Sequence, residues 1–150
     1  MTDHSGKFIC ESRLLVERLL RSRFRVDSIL IDDNRVAEVK DMVPEHVATY
    51  VVPRHHMSEL IGFDFHRGML ACGRREKRRW LESDGTLFSD RLLDPDDCVA
   101  AMLVGVQDPE NMGLIARTCS ALGIKQLVLG PQCVDPFARR VLRVSMGCLL

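Results

Sequence analysis

Apolar and polar positions alternate along this chain in two rhythms. From Cys10 to Ser22 the apolar residues fall at helical spacing. Leu15, Leu19 and Ser22 share one side, Val16 and Leu20 lie beside them, and arginines occupy the opposite face, which predicts an amphipathic helix. Val26 to Ile31 and Ala48 to Val52 have strand composition, the second closed by Pro53. Between them, Asp32-Asp33-Asn34 predicts a turn or helix cap, followed by a short helix to about Met42 that must end before Pro44. Arg54 to Ile61 predicts another short helix, stopped by Gly62, and Gly68 to Cys72 a third strand. Strands and helices that alternate in this way predict a small α/β layer rather than a helical bundle.

The pattern is sharper in the last third. Cys98 to Val106 is an almost unbroken apolar run, as expected of a strand buried on both faces. A loop follows at 107–111, then a helix from Met112 to Leu122 stopped by Gly123. Ile124 to Leu129 predicts a strand, and Asp135-Pro136 opens a helix to about Val144. Strand, loop, helix, strand, loop, helix is the order of a parallel βαβ unit with a right-handed crossover. Between the two patterned regions, Ser83-Asp84-Gly85 and Asp94-Pro95-Asp96-Asp97 are turn signals. The chain therefore divides into a domain at 1–76, a linker at 77–97 and a second, incomplete domain at 98–150.

Composition narrows the function class. The 150 residues are 46% hydrophobic and 28% charged, which is globular rather than disordered. No segment approaches the roughly 18 to 20 apolar residues that span a bilayer, and the N-terminus has no signal-peptide core, so the expectation is a soluble, cytoplasmic protein without a membrane partner. The six cysteines have no zinc-ligand or redox-pair spacing and are expected to be buried free thiols. His55 and His56 are neighbours, and such side chains diverge along a strand or a helix, so no shared metal is expected. The formal net charge is zero, so the distribution of charge carries more than its sum. Lys7 to Arg25 is rich in arginine, and Arg74, Arg75, Lys77, Arg78 and Arg79 are interrupted only by Glu76. Such a run can track phosphates of folded RNA, or be a solvated linker face.

The stretch that carries chemistry runs from Gly105 to Arg117. In open α/β sheets ligands bind just past the carboxyl ends of strands, where Asn111 is expected to open a helix and cap it or hold the loop. Gly113 lets a ligand or a second backbone approach. Arg117 stands four residues further on, on the same helix side as Gly113, with a guanidinium that stays positive and grips phosphate.

Asn-x-Gly-x-x-x-Arg after a buried strand resembles the first motif of the SpoU family of RNA ribose 2′-O-methyltransferases. Thr118 to Ile124 and Arg143-Val144-Ser145-Met146-Gly147 look like the same family. Gly6 to Glu11, Val26 to Ile31 and Phe65 to Ala71 are similar to the substrate-binding domain that precedes its catalytic domain. The resemblance implies a fold: a small, ribosomal-protein-like α/β domain that binds RNA, then the first βαβ part of an incomplete α/β-knot methyltransferase domain. It implies methyl transfer from S-adenosylmethionine to a ribose 2′-hydroxyl of tRNA or rRNA. Arg117 then takes the catalytic role and Asn111 the motif asparagine's, while Glu110, Gly113, Ser145 and Gly147 are motif positions of structural character. The cofactor pocket and much of a homodimer interface are expected beyond Leu150, which makes this stretch inactive alone. No metal is implied. A non-catalytic RNA-binding module is the main alternative, and a small α/β protein with no RNA role is the third.

Overall fold

The structure is a computed structural model and describes residues 6–62, 64–75 and 99–150. Its first part is built on four strands and three helices: β1 (Lys7–Glu11), α1 (Arg13–Arg21), β2 (Arg25–Asp32), α2 (Val36–Lys40), β3 (Ala48–Val52), α3 (Arg54–Ile61) and β4 (Met69–Arg74). The sheet order is β1-β4-β2-β3. β4 runs antiparallel to both β1 and β2, whereas β2 and β3 are parallel. The second part has β5 (Ala100–Leu103), α4 (Pro109–Ala121), β6 (Gln126–Leu129) and α5 (Arg139–Val144), with β5 and β6 parallel.

α1 forms where the apolar spacing predicts it. Leu15, Val16 and Leu19 are buried, each contributing about 1.5–3 kcal/mol through burial. The start of the helix differs from the sequence expectation. Cys10 and Glu11 belong to β1, because their backbone pairs with β4 opposite Ala71 and Leu70. Ser12, at φ 91°, turns the chain from strand into helix. Short-range periodicity cannot register a strand whose partner lies about sixty residues away in sequence. α3 ends as expected at Gly62, whose φ of 81° is the left-handed conformation that glycine adopts without penalty.

The first part's core lies between the sheet and α1, with Phe8, Cys10, Leu15, Val16, Leu19, Ile29, Ile31 and Met69 all buried. Burial pushes the Cys10 thiol up to about 12, so it stays neutral. Leu142 of α5 belongs to the same core, and Phe137, Leu149 and Leu150 pack against it. Phe8, Phe24 and Phe137 form an aromatic trio with ring centroids 5.5, 4.9 and 5.3 Å apart. Phe8 fits because Gly73 beneath it has no side chain; a Cβ there would stand 2.4 Å from the ring. α5 thus covers β1, the edge strand of the first sheet.

Three expectations for the second part are corrected. β5 is four residues long, and Met102 and Val104 are 72% and 62% exposed, so this strand is not buried on both faces. Among the described residues it has one strand neighbour, β6, and apolar composition alone does not supply a second layer. α5 begins at Arg139 rather than at Asp135: Asp135 instead closes a turn, its Oδ1 accepting from Phe137 N at 3.0 Å. The strand expected from Ile124 starts at Gln126. The expected linker, 77–97, lies outside the described residues.

Candidate active site

The carboxyl ends of β5 and β6 lie side by side and are laced together by backbone. Gly130 N donates to Leu103 O at 2.7 Å, Gly105 N to Pro131 O at 3.0 Å, and Val134 N to Val106 O at 2.8 Å. From this rim α4 rises. Its N-cap is Asp108, whose Oδ1 accepts from Glu110 N at 2.7 Å, with Pro109 in the first turn. Asn111 is therefore inside the helix and not its cap: an aspartate followed by proline starts a helix more effectively and leaves the asparagine side chain unused.

A shallow groove of about 340 Å³ opens here, lined by Gly105, Val106, Gln107, Asp108, Asn111, Leu114 and Ile115. Asn111, Leu114 and Ile115 present one side of α4 to it, as their i, i+3, i+4 spacing requires. Arg117 is exposed but does not line the groove. Six residues separate it from Asn111, which places it about 120° around the helix and about 9 Å along the axis. Helical side chains lean toward the helix N-terminus, so the backbone at Arg117 directs it back toward the strand ends. Asn111 and Arg117 thus lie on different sides of α4, and Asn111 alone of the two lines the groove.

The other motif residues have packing roles. At Gly113 a Cβ would stand 2.7 Å from Val144 Cβ and 3.0 Å from Val141 O, so the element that approaches this glycine is α5. Glu110 pairs with Arg140 of α5. Ser145 is fully buried and donates to Leu142 O at 3.1 Å. Gly147, at φ 78°, donates to Leu142 O at 2.9 Å and closes the helix end. There, Arg18 of α1 reaches across to Met146 O at 2.6 Å.

The basic run is divided by the fold. Lys77, Arg78 and Arg79 lie outside the described residues. Arg75 is nearly buried, its side chain 9% exposed, and binds both carboxylate oxygens of Asp135 at 2.9 and 2.7 Å. Its position is thus a joint between the two parts of the chain rather than an open phosphate-facing surface. Arg74 is exposed, with its guanidinium on Asp27 at 3.2 and 2.8 Å. That hydrogen bond and charge hold the Asp27 carboxyl below its ordinary range.

Sequence reasoning passed over Gln107, Leu114 and Ile115 in the groove, and Glu11, a buried carboxylate against Arg139 with Arg143 at 3.9 Å. A polar residue at the end of a strand gives no sign that a helix from the far end of the chain will bring it cations. A second depression, of about 520 Å³, is lined by Asp33, Asn34, Arg54, His55, Ser58, Phe65 and His66. His55 and His56 do not diverge as expected; their ring centroids are 4.1 Å apart. Among the described residues no cluster could hold a metal ion, and no helix is long and apolar enough to cross a membrane.

A parallel βαβ unit with a polar helix start at its strand ends defines an α/β protein of the strand-end-site class. Comparison with known proteins makes this more specific. Residues 99–150 match the model of the SpoU rRNA Methylase family. An uncharacterized tRNA/rRNA methyltransferase of Mycobacterium bovis is 36% identical over 140 residues, covering 93% of this chain and 46% of that protein. A Mycobacterium tuberculosis protein of the same description matches to the same extent. The chain spans about half the length of the curated relatives it matches. Among solved structures, the AdoMet-bound rRNA methyltransferase from Sinorhizobium meliloti is similar in fold, with a TM-score of 0.74 at 21% identity, covering 98% of this chain and 52% of that one. The SpoU methyltransferase AviRb from Streptomyces viridochromogenes gives 0.73 at 18%, covering 96% and 51%.

Proposed function

We propose that this chain is part of an RNA methyltransferase that transfers a methyl group from S-adenosylmethionine to a ribose 2′-hydroxyl of tRNA or rRNA. The observation that carries the reading is an exposed arginine, Arg117, that makes no hydrogen bond or ion pair among the described residues and stands on the same helix that brings Asn111 to the strand-end groove. A cation held at the flank of a helix without a carboxylate partner is available to an anionic ligand. Here Arg117 would hold the phosphate next to the reacting nucleotide and stabilise the negative charge that develops on the hydroxyl oxygen. Asn111 would fix the adjacent loop or the ribose by hydrogen bonding.

The methyl donor fits the described residues only in part. The groove offers Val106, Leu114 and Ile115 as an apolar wall, but no lining residue is a cation for the donor's carboxylate and none is aromatic. The donor's seat therefore needs further residues, and the stretch 99–150 is not expected to bind it tightly or turn over alone. A homodimer and a cytoplasmic setting belong to the same reading, since a dimer could bring those residues and RNA substrates are cytoplasmic.

The decisive experiment is methyl transfer from labelled S-adenosylmethionine to total tRNA and rRNA by the complete gene product. Arg117→Ala should lower transfer at least about 100-fold, the usual scale for removing a group that stabilises developing charge. Its melting temperature should be unchanged, because Arg117 is exposed and has no hydrogen bond or ion pair among the described residues. Retained transfer would remove Arg117 from the mechanism.

A further inference from the structure

Three cations stand in one row across the first sheet. Lys7 of β1 is the register partner of Arg74 in β4, and Arg74 is the register partner of Arg25 in β2. Register partners share a face of the sheet, and neighbouring strands lie about 4.8 Å apart, so the row extends about 10 Å. One carboxylate holds it. Asp27 sits where the β2–β4 register shifts between Val26 and Ser28, a bulge that takes it out of the ladder. Its Oδ2 is 2.8 Å from Arg74 and 3.9 Å from Lys7, and its Oδ1 is 3.5 Å from Arg25. Asp27 is nearly covered, with 15% of its side chain exposed, while Lys7, Arg25 and Arg74 are 46%, 76% and 50% exposed. The carboxylate is inside, the cations face water, and among the described residues three positive charges answer to one negative charge.

We propose that Lys7, Arg74 and Arg25 form a contact row for consecutive phosphates of an RNA backbone, spaced and oriented by Asp27. The proposal rests on the RNA-modifying reading above and names residues through which the first part of the chain would hold the substrate. A strand-borne row is more rigid than a charged loop, and Asp27 limits the rotamers that Arg74 must lose on binding. An RNA backbone fits better than a membrane surface. The large exposed apolar residues of this sheet, Tyr50 and Val51, pair with Leu30 and Ile31 at the opposite end of β2, so among the described residues no apolar anchor flanks the row.

The test is the salt dependence of binding of this chain to structured RNA. Lys7→Gln combined with Arg25→Gln leaves the Arg74–Asp27 pair intact and so spares the fold. The comparison is Arg13→Gln with Lys40→Gln, which removes the same charge from α1 and α2. Each lost phosphate contact should flatten the plot of log affinity against log salt by about 0.7 to 0.9. The row variant should therefore be shallower by roughly 1.5 and bind at least about tenfold more weakly near 0.1 M salt, with the comparison variant close to wild type. Equal changes in both variants would mean a general field and would overturn the row. So would loss of binding to phosphatidylserine vesicles, or to an acidic peptide, with RNA binding intact. Methyl transfer by the complete gene product separates the two readings. Row-dependent RNA binding without any methyl transfer would sink the enzyme reading alone. Methyl transfer with a salt slope indifferent to the row would sink the row alone.

Discussion

Asp27 illustrates how a residue's neighbours set its chemistry. Arg74, Arg25 and Lys7 face it from three strands, and the Arg74 hydrogen bond is the largest cause of its lowered pKa. A carboxyl lowered in the folded state contributes stability above its unfolded value near 3.9, and that contribution is lost as pH falls through the folded value. Asp27→Asn should therefore destabilise the chain at neutral pH and have progressively less effect as the pH falls through and below that range. Urea midpoints of the two proteins measured from pH 7 down to pH 2 would check this; a constant difference across the range would refute it. None of this is visible in the string Arg25-Val26-Asp27-Ser28, where Asp27 reads as the polar partner in an alternating strand. The same holds for Arg75, a member of a basic run by sequence and the partner of Asp135 by structure.

At the scale of elements, the contact of α4 with α5 decides what the glycine of the motif does. Sequence reasoning left open whether Gly113 admits a ligand or a second backbone, and in the structure it admits Val141 and Val144. Gly113→Ala should force α5 outward and destabilise by about 1–3 kcal/mol, despite alanine's better helix propensity, because overpacking outweighs the gain of about 1 kcal/mol. Chemical denaturation of the variant measures it; a stabilised protein would mean that the two helices separate freely. Displacing α5 would also loosen Glu110–Arg140 and the rim that holds Asn111, so any methyl transfer should fall with stability. Helix positions were the most legible feature here, since α1, α3 and α4 follow the expected spacing and stop residues, although α1 starts later and α4 earlier than the sequence suggests. The start of α5 was lost because Asp135-Pro136 is a helix opening by composition and a turn by its own hydrogen bond.

At the scale of the molecule, one helix and a few charges among the described residues join the two sheets. α5 brings Leu142 into the first core, Phe137 into the aromatic trio, and Arg139 and Arg143 to Glu11. Arg75 and Asp135 complete the joint, both largely shielded from water. Removing one partner of such a pair takes away the main compensation of a shielded charge, so Asp135→Ala should destabilise by about 3 kcal/mol. Arg75→Met with Asp135→Leu should recover most of that loss, since an apolar pair of similar volume removes both charges together. Thermal unfolding followed by calorimetry would test both variants. An Asp135→Ala protein as stable as wild type would show that the joint contributes little.

The sequence by itself determined the alternation of strands and helices, the parallel βαβ order of the last third and the motif Asn111, Gly113 and Arg117, because these depend on local spacing and on residue types that few other contexts require. Tertiary structure alone decided the rest. It made β1 a strand through its pairing with β4, left β5 exposed, and gathered Lys7, Arg25 and Arg74 around Asp27. The physical reason is common to all three. Each depends on which distant segment lies alongside, and hydrophobic burial, which drives that choice, is non-directional and does not record its partner in the local pattern.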